Sequence, residues 1–163
     1  MTKGQAKPDE TGIDMAAELR RDAVTREVCR GVGRFLRSLG MASLNELPLP
    51  NGRRADVVAL SAAGDIWIVE VKSSVEDFRV DIKWPDYRDF SDALFFAVAP
   101  GFPAEILPPD TGLILADRYG AEIVRAAPET RLAGARRKAM TLRFARAAAF
   151  TLQIVGDPNL EIS

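Results

Sequence analysis

Residues 53–72 read RRADVVALSAAGDIWIVEVK. Two apolar segments, 53–60 and 65–72, flank a short polar turn, which is the pattern of a β-hairpin. Asp56, Glu70 and Lys72 stand inside those segments, where apolar residues are expected. Charges enter a protein interior only when they are paired or bind a cation, so their placement asks for a reason. With 61–65 as the loop, Leu60 faces Ile66, and counting back along an antiparallel pair sets Asp56 opposite Glu70. Residues two apart share a face, so Lys72 joins Glu70 there, with Val58, Leu60, Ile66 and Ile68 nearer the turn. The other face (Ala55, Val57, Ala59, Trp67, Val69, Val71) is apolar throughout and is expected to pack on helices.

Two facing carboxylates have Cβ atoms roughly 5 Å apart, and like charges placed so are destabilising. Either a cation sits between them or one of them keeps its proton. Carboxylates are hard ligands suited to Mg²⁺, which commonly takes one or two of them with waters and phosphate oxygens. An ammonium beside the cation could orient a water and stabilise charge developing on phosphate. In outline this is a site for phosphodiester hydrolysis. Glu-x-Lys alone carries little; the strand–turn–strand setting and the facing register carry more. The structural alternative is a hairpin with a partly exposed Asp56/Glu70–Lys72 salt-bridge cluster, as edge strands often have.

The remaining chemistry is bounded by composition. The 163 residues, 47% hydrophobic and 28% charged, fit one globular domain. Histidine is absent and Cys29 is the single cysteine. Imidazole bases, Cys-rich zinc sites and an internal disulfide are thereby excluded. A net charge of −1 argues against a whole-surface polyanion binder and leaves room for a local basic patch. No apolar run reaches the length of a membrane span, and the polar N-terminus lacks a signal-peptide core, so a cytoplasmic protein with no membrane partner is expected.

Outward from the hairpin, the polar stretch 1–12 reads as a flexible leader and 13–153 as a single domain, with a short tail over 154–163. Val24, Val28, Val32, Leu36 and Leu39 recur at helical spacing, predicting a helix over 13–39 with Gly40 as its cap. Gly31 and Gly33 inside it mark close packing or a bend. A short strand is expected over 44–49. Ser73 and Ser74, with Asp77 three residues after Ser74, open a helix. Pro85 either kinks that helix or starts another segment. The apolar run 93–99 predicts a central strand, 100–110 a loop with four prolines, 113–116 and 121–124 a second hairpin, and 129–153 a last helix. The expected architecture is an α/β sheet with helices on its faces.

Asp56, then Glu70-Val71-Lys72 across two strands, resembles the PD-(D/E)XK nuclease superfamily, with Ala55 where that motif has proline. The runs RRADVVAL, IWIVEVKSSVEDFRVDIKWPDYRDFSDALFFAV, GLILADRYGAEIVR and ARRKAMTLRFARAAA resemble the MmcB-type bacterial DNA repair proteins over about residues 20–153. The resemblance implies a restriction-endonuclease-like fold, a central mixed sheet flanked by helices. It also implies Mg²⁺-dependent (or Mn²⁺-dependent) cleavage of damaged, branched or crosslinked DNA, alongside other repair proteins at the nucleoid. Asp56 and Glu70 would bind metal, with the Val71 carbonyl completing its ligands, and Lys72 would position the water. Superfamily members often add a first-helix glutamate; Glu27 is the candidate, Glu18 lying about two and a half turns earlier, and a solvated glutamate is the alternative. Lys83-x-x-x-Tyr87 has the spacing of the family's Gln-x-x-x-Tyr element, with lysine for glutamine. It could touch phosphate, or Trp84, Tyr87 and Phe90 could be core aromatics.

Between Arg131 and Arg146 lie six basic residues and no acidic one. Arg136, Arg143 and Arg146 fall near one helical face, as in a phosphate-contacting helix or an amphipathic surface helix. Arg53 and Arg54, beside Asp56, are better placed to grip a substrate. Two readings stand: a metal-dependent DNA nuclease, or a nuclease-fold module that binds DNA or a partner with weak or no catalysis.

Overall fold

The computed structural model describes residues 15–160, so the expected leader over 1–12 lies outside the described residues. In chain order the elements are α1 (Met15–Ser38), β1 (Ala42–Pro48), β2 (Arg54–Leu60), β3 (Ile66–Val71), α2 (Val75–Val80), a 3₁₀ segment (Trp84–Phe90), β4 (Ala93–Val98), a 3₁₀ turn (Ala104–Ile106), β5 (Gly112–Ala116), β6 (Ala121–Arg125) and α3 (Gly134–Gly156). The six strands form one open sheet in sequence order. β3, β4 and β5 pair in parallel, and the other neighbours pair antiparallel. The sheet is therefore mixed, with helices on both faces.

The central hairpin has the register its spacing predicts, Leu60 against Ile66. Ser61 and Asp65 close the loop through main-chain and hydroxyl bonds, and Gly64 takes a left-handed φ of 89° there. Val28, Val32 and Leu36 of α1 cover one face, meeting Val57, Ala59, Val69, Val71, Phe95 and Ala97. Met140 and Phe144 of α3 with Tyr87 cover the other, over Val58, Ile66, Ile68 and Leu94. Phe78 and Trp84 close the same face further along, on Phe96 and Val98. Every residue of β4 is buried, as a central parallel strand requires. Gly31 lets α1 approach the β5–β6 turn so closely that a Cβ would strike the carbonyls of Asp117 and Gly120; Gly33 meets nothing.

Three expectations need correction. Ala55 does not pack with Val57 and Ala59 but with Leu47 and Val58 on the α3 side. Facing this part of β2, Glu46 sits at φ 57°, a left-handed residue that interrupts the alternation of sides along β1. The last helix starts at Gly134 rather than 129, because Thr130 donates its N–H to the Asp92 carbonyl and Leu132 its N–H to Asp92 Oδ1, holding that segment extended. It also runs to Gly156, three residues past the expected end at 153; Asp157, kept out of the helical region by the proline that follows it, stops it.

Candidate active site

The β2–β3 ladder runs from Leu60↔Ile66 to Val57↔Val69 and stops one step before Asp56 and Glu70. Side chains take over from there. Asp56 donates its N–H to Glu70 Oε1 at 3.1 Å, and Val71 donates its N–H to Asp56 Oδ2 at 2.8 Å. Lys72 meanwhile donates its N–H to the Ala97 carbonyl on β4. β3 thus stays with β4 while β2 parts from it, and the two carboxylates stand at the fork. A strand residue turns its N–H and C=O toward the same neighbour, so the Val71 carbonyl also faces the fork. Tyr87 donates its hydroxyl to the Arg54 carbonyl at 3.1 Å, holding β2 at the point of divergence.

Glu70 is 3% and Lys72 5% exposed, so their charges feel little solvent. Burial, with Asp56 beside it, pushes the Glu70 carboxyl up to about 9. Burial raises Asp56 too, against the Val71 N–H and the Lys72 charge, which favour its ionised form. Burial works against the Lys72 ammonium, but an ion pair with Asp81 at 2.6 Å outweighs it and holds the amine above its usual range. Burial and the Glu70 charge also raise the Tyr87 phenol, which stays protonated. Seven carboxylates and three cationic side chains line the surrounding cleft of about 670 Å³. An excess of negative charge of this size repels a phosphate unless a cation enters with it.

Two facing carboxylates and a carbonyl suit a hard divalent ion whose remaining ligands are water and phosphate oxygens. Among the described residues no group of three or more carboxylate or thiol side chains is arranged to hold a metal. Any ion here would therefore rest on Asp56, Glu70 and the Val71 main chain. Burial and the neighbouring Asp56, which push the Glu70 carboxyl up to about 9, make a pair that a cation would let ionise fully, and that fits such an ion.

A model of the MmcB-like DNA repair proteins matches residues 13–159. The chain belongs to that family. A solved structure, that of a protein of unknown function from Silicibacter pomeroyi, is 47% identical to this MmcB-like chain with a TM-score of 0.82. The match covers 85% of this chain and 96% of that one. No curated protein matches. The family assigns a role in DNA repair, which brings DNA as the partner. Among the described residues no helix is long and apolar enough to cross a membrane.

Of the residues singled out in this MmcB-like sequence, the fold brings Asp56, Glu70, Val71, Lys72, Arg54 and Tyr87 to one cleft. Glu27 is exposed and lies outside it. The α1 acids that line it are Glu18 and Asp22, one turn apart, because only the N-terminal half of α1 reaches past the sheet to the fork. Arg53 is held by Asp86 at 2.6 Å, and Arg54 meets Glu46 at 3.5 Å. Lys83 is exposed and does not line the cleft. Pro85 opens a 3₁₀ segment, in which residues three apart eclipse, so Lys83 and Tyr87 fall on different faces. The α3 arginines also lie away from the cleft. Arg136 reaches the Asp89 carbonyl at 3.1 Å, while Arg143 and Arg146 line a separate groove beside Pro48. Asp81 and Asp77 escaped the sequence reading as site residues. Asp77 showed only as the capping partner of Ser74, a role it fills through its N–H at 3.1 Å. Asp81, nine residues after Lys72, left no periodic signal.

Proposed function

We propose that this MmcB-like protein is a metal-dependent DNA nuclease of the PD-(D/E)XK kind, acting on damaged or structured DNA in repair. The observation that carries the reading is the Asp56–Glu70 pair at the fork of β2 and β3, with Glu70 buried and the buried Lys72 just past the end of β3. The mixed sheet with helices on both faces accords with that fold. Asp56, Glu70 and the Val71 carbonyl would hold Mg²⁺, or Mn²⁺ in its place. When bound, the ion would activate a water for attack and offset charge on the scissile phosphate. Lys72 would direct that water and stabilise charge on the phosphate oxygens, its ammonium kept protonated by Asp81. Tyr87 fixes the β2 main chain at the fork. Arg54, exposed at the rim, would meet the DNA backbone. Recognition would be of backbone and shape.

A second reading, a module that binds DNA without robust cleavage, draws support from one contact. Lys72 spends its charge on Asp81 at 2.6 Å instead of facing the carboxylate pair alone. Cleavage of duplex, flapped and branched DNA with Mg²⁺ or Mn²⁺ separates the two. The nuclease reading expects Asp56→Ala and Lys72→Ala each to lower the rate by roughly 100-fold or more. Cleavage that survives both substitutions would sink the site; tight binding with no cleavage under either metal would leave the binding module.

A further inference from the structure

Val80 and Ile82 are 77% and 81% exposed, the two most exposed large apolar side chains among the described residues. Single apolar residues on a surface need no explanation. These two differ in being alternate residues of one rigid tip, 79–83, at the rim of the candidate active cleft, which Val80 lines. Both ends of the tip are anchored on the same buried ring. Phe78 meets Phe96 edge-on at 5.6 Å, and Trp84 meets it at 5.5 Å. The middle is anchored as well, since Asp81 turns inward to Lys72 at 2.6 Å and accepts the Lys83 N–H at 3.0 Å. The Asp81 N–H closes onto the Phe78 carbonyl, and the Ile82 N–H onto that of Val80. With Asp81 neutralised inside, the tip presents to solvent Arg79, Val80, Ile82 and Lys83: two apolar side chains between two cations.

We infer that this tip is a DNA wedge: Arg79 and Lys83 engage phosphates while Val80 and Ile82 insert at a weakened base step beside the cleft. The inference rests on the DNA-acting reading above and adds a substrate class, duplexes whose stacking is already broken by a mismatch, bulge or lesion. Branched aliphatic side chains are used as wedges where proteins part base steps, and insertion is easiest where stacking is already lost. The flanking cations supply charge complementarity to a phosphate backbone, which a protein or lipid tail would not need.

The test reads binding, not cleavage. Full-length protein in Ca²⁺, an oxygen-seeking ion, is titrated into paired and mismatched duplexes carrying 2-aminopurine next to the mismatch position. The mismatched duplex should bind about tenfold more tightly, with a rise in fluorescence as the base unstacks. Val80→Ser with Ile82→Ser should bring the ratio to about one and abolish the rise. Val80→Leu with Ile82→Leu should keep both. Arg79→Gln with Lys83→Gln should weaken both duplexes alike and flatten the salt dependence. If the serine variant binds and discriminates as the wild type does, the wedge is wrong and the DNA reading stands. If the wild-type protein binds neither duplex, both fall together.

Discussion

Two carboxylate sites, built around the buried Asp92 and the buried Glu70, sit at opposite ends of β3 and its neighbours, and the fold treats them in opposite ways. At one end Asp92, just before β4, is satisfied on both oxygens. It accepts the Ile66 and Leu132 N–H groups at 2.7 and 2.9 Å, and a two-pronged bond from Arg137 at 2.6 and 2.7 Å. Burial opposes its charge, but Arg137 and the two N–H groups prevail and hold the carboxyl at about 2. At the other end Asp56 and Glu70 share one main-chain N–H each, face one another, and leave Glu70 at about 9. A buried acid that the protein fully satisfies ties the structure together. One left short of positive charge is kept at a cost to stability, and such sites cluster where chemistry is done.

Removing one partner should break this contrast most sharply at the Asp92 end. Arg137→Ala strands a carboxylate that is 7% exposed and should cost roughly 3–5 kcal/mol in urea unfolding. A loss below about 1 kcal/mol would make Arg137 a surface residue like its neighbours. Glu70→Gln goes the other way. Removing a carboxyl that must take up a proton to fold should stabilise the metal-free protein by about 2 kcal/mol near neutral pH, measured by the same unfolding experiment. An equal or lower stability would show that the Asp56–Glu70 pair is already compensated.

The two ends also lose stability on opposite pH limbs. The folded Asp92 carboxyl lies below its unfolded value of 3.8, so its contribution is present above that value and fades as pH falls toward about 2. The folded Glu70 carboxyl lies above its unfolded value of 4.5, so its contribution is full below that and fades as pH rises toward about 9. Glu70→Gln should therefore flatten the decline of a stability-against-pH curve between about 4.5 and 9 and leave the acid limb below 3.8 alone. The smallest effect belongs to a surface pair. Arg53→Ala releases Asp86, whose side chain is 51% exposed, and should change stability by only about 0.5 kcal/mol.

Much of the candidate site was legible before the fold. The turn at 61–65 set the register, and alternation then set Asp56, Glu70 and Lys72 on one face. What alternation could not show is that the ladder stops at Val57 and Val69, so that carboxylates replace main-chain partners. The basic run at 131–146 left two readings open, a phosphate-contacting helix or an amphipathic surface helix, and composition could not show where its arginines go. Arg137 is spent on Asp92, while Arg143 and Arg146 flank a groove away from the cleft. Likewise the spacing of Lys83 and Tyr87 could not show whether they share a face beside Pro85; the segment is 3₁₀, and Trp84, Tyr87 and Phe90 pack into the core.

By itself the sequence determined whatever depends on neighbours along the chain: the helix stripe of Val28, Val32 and Leu36, the buried run of β4, the Ser74 cap and the hairpin register. Each of these follows from a period of 3.6 or 2, or from a cap a few residues away. Only the tertiary structure decided that Lys72 pairs with Asp81, that Glu18 and Asp22 rather than Glu27 reach the cleft, and that Asp92 joins Arg137 across 45 residues. Those partners meet because the sheet and its helices bring distant segments together, and a charge carries no mark of which distant charge it will meet.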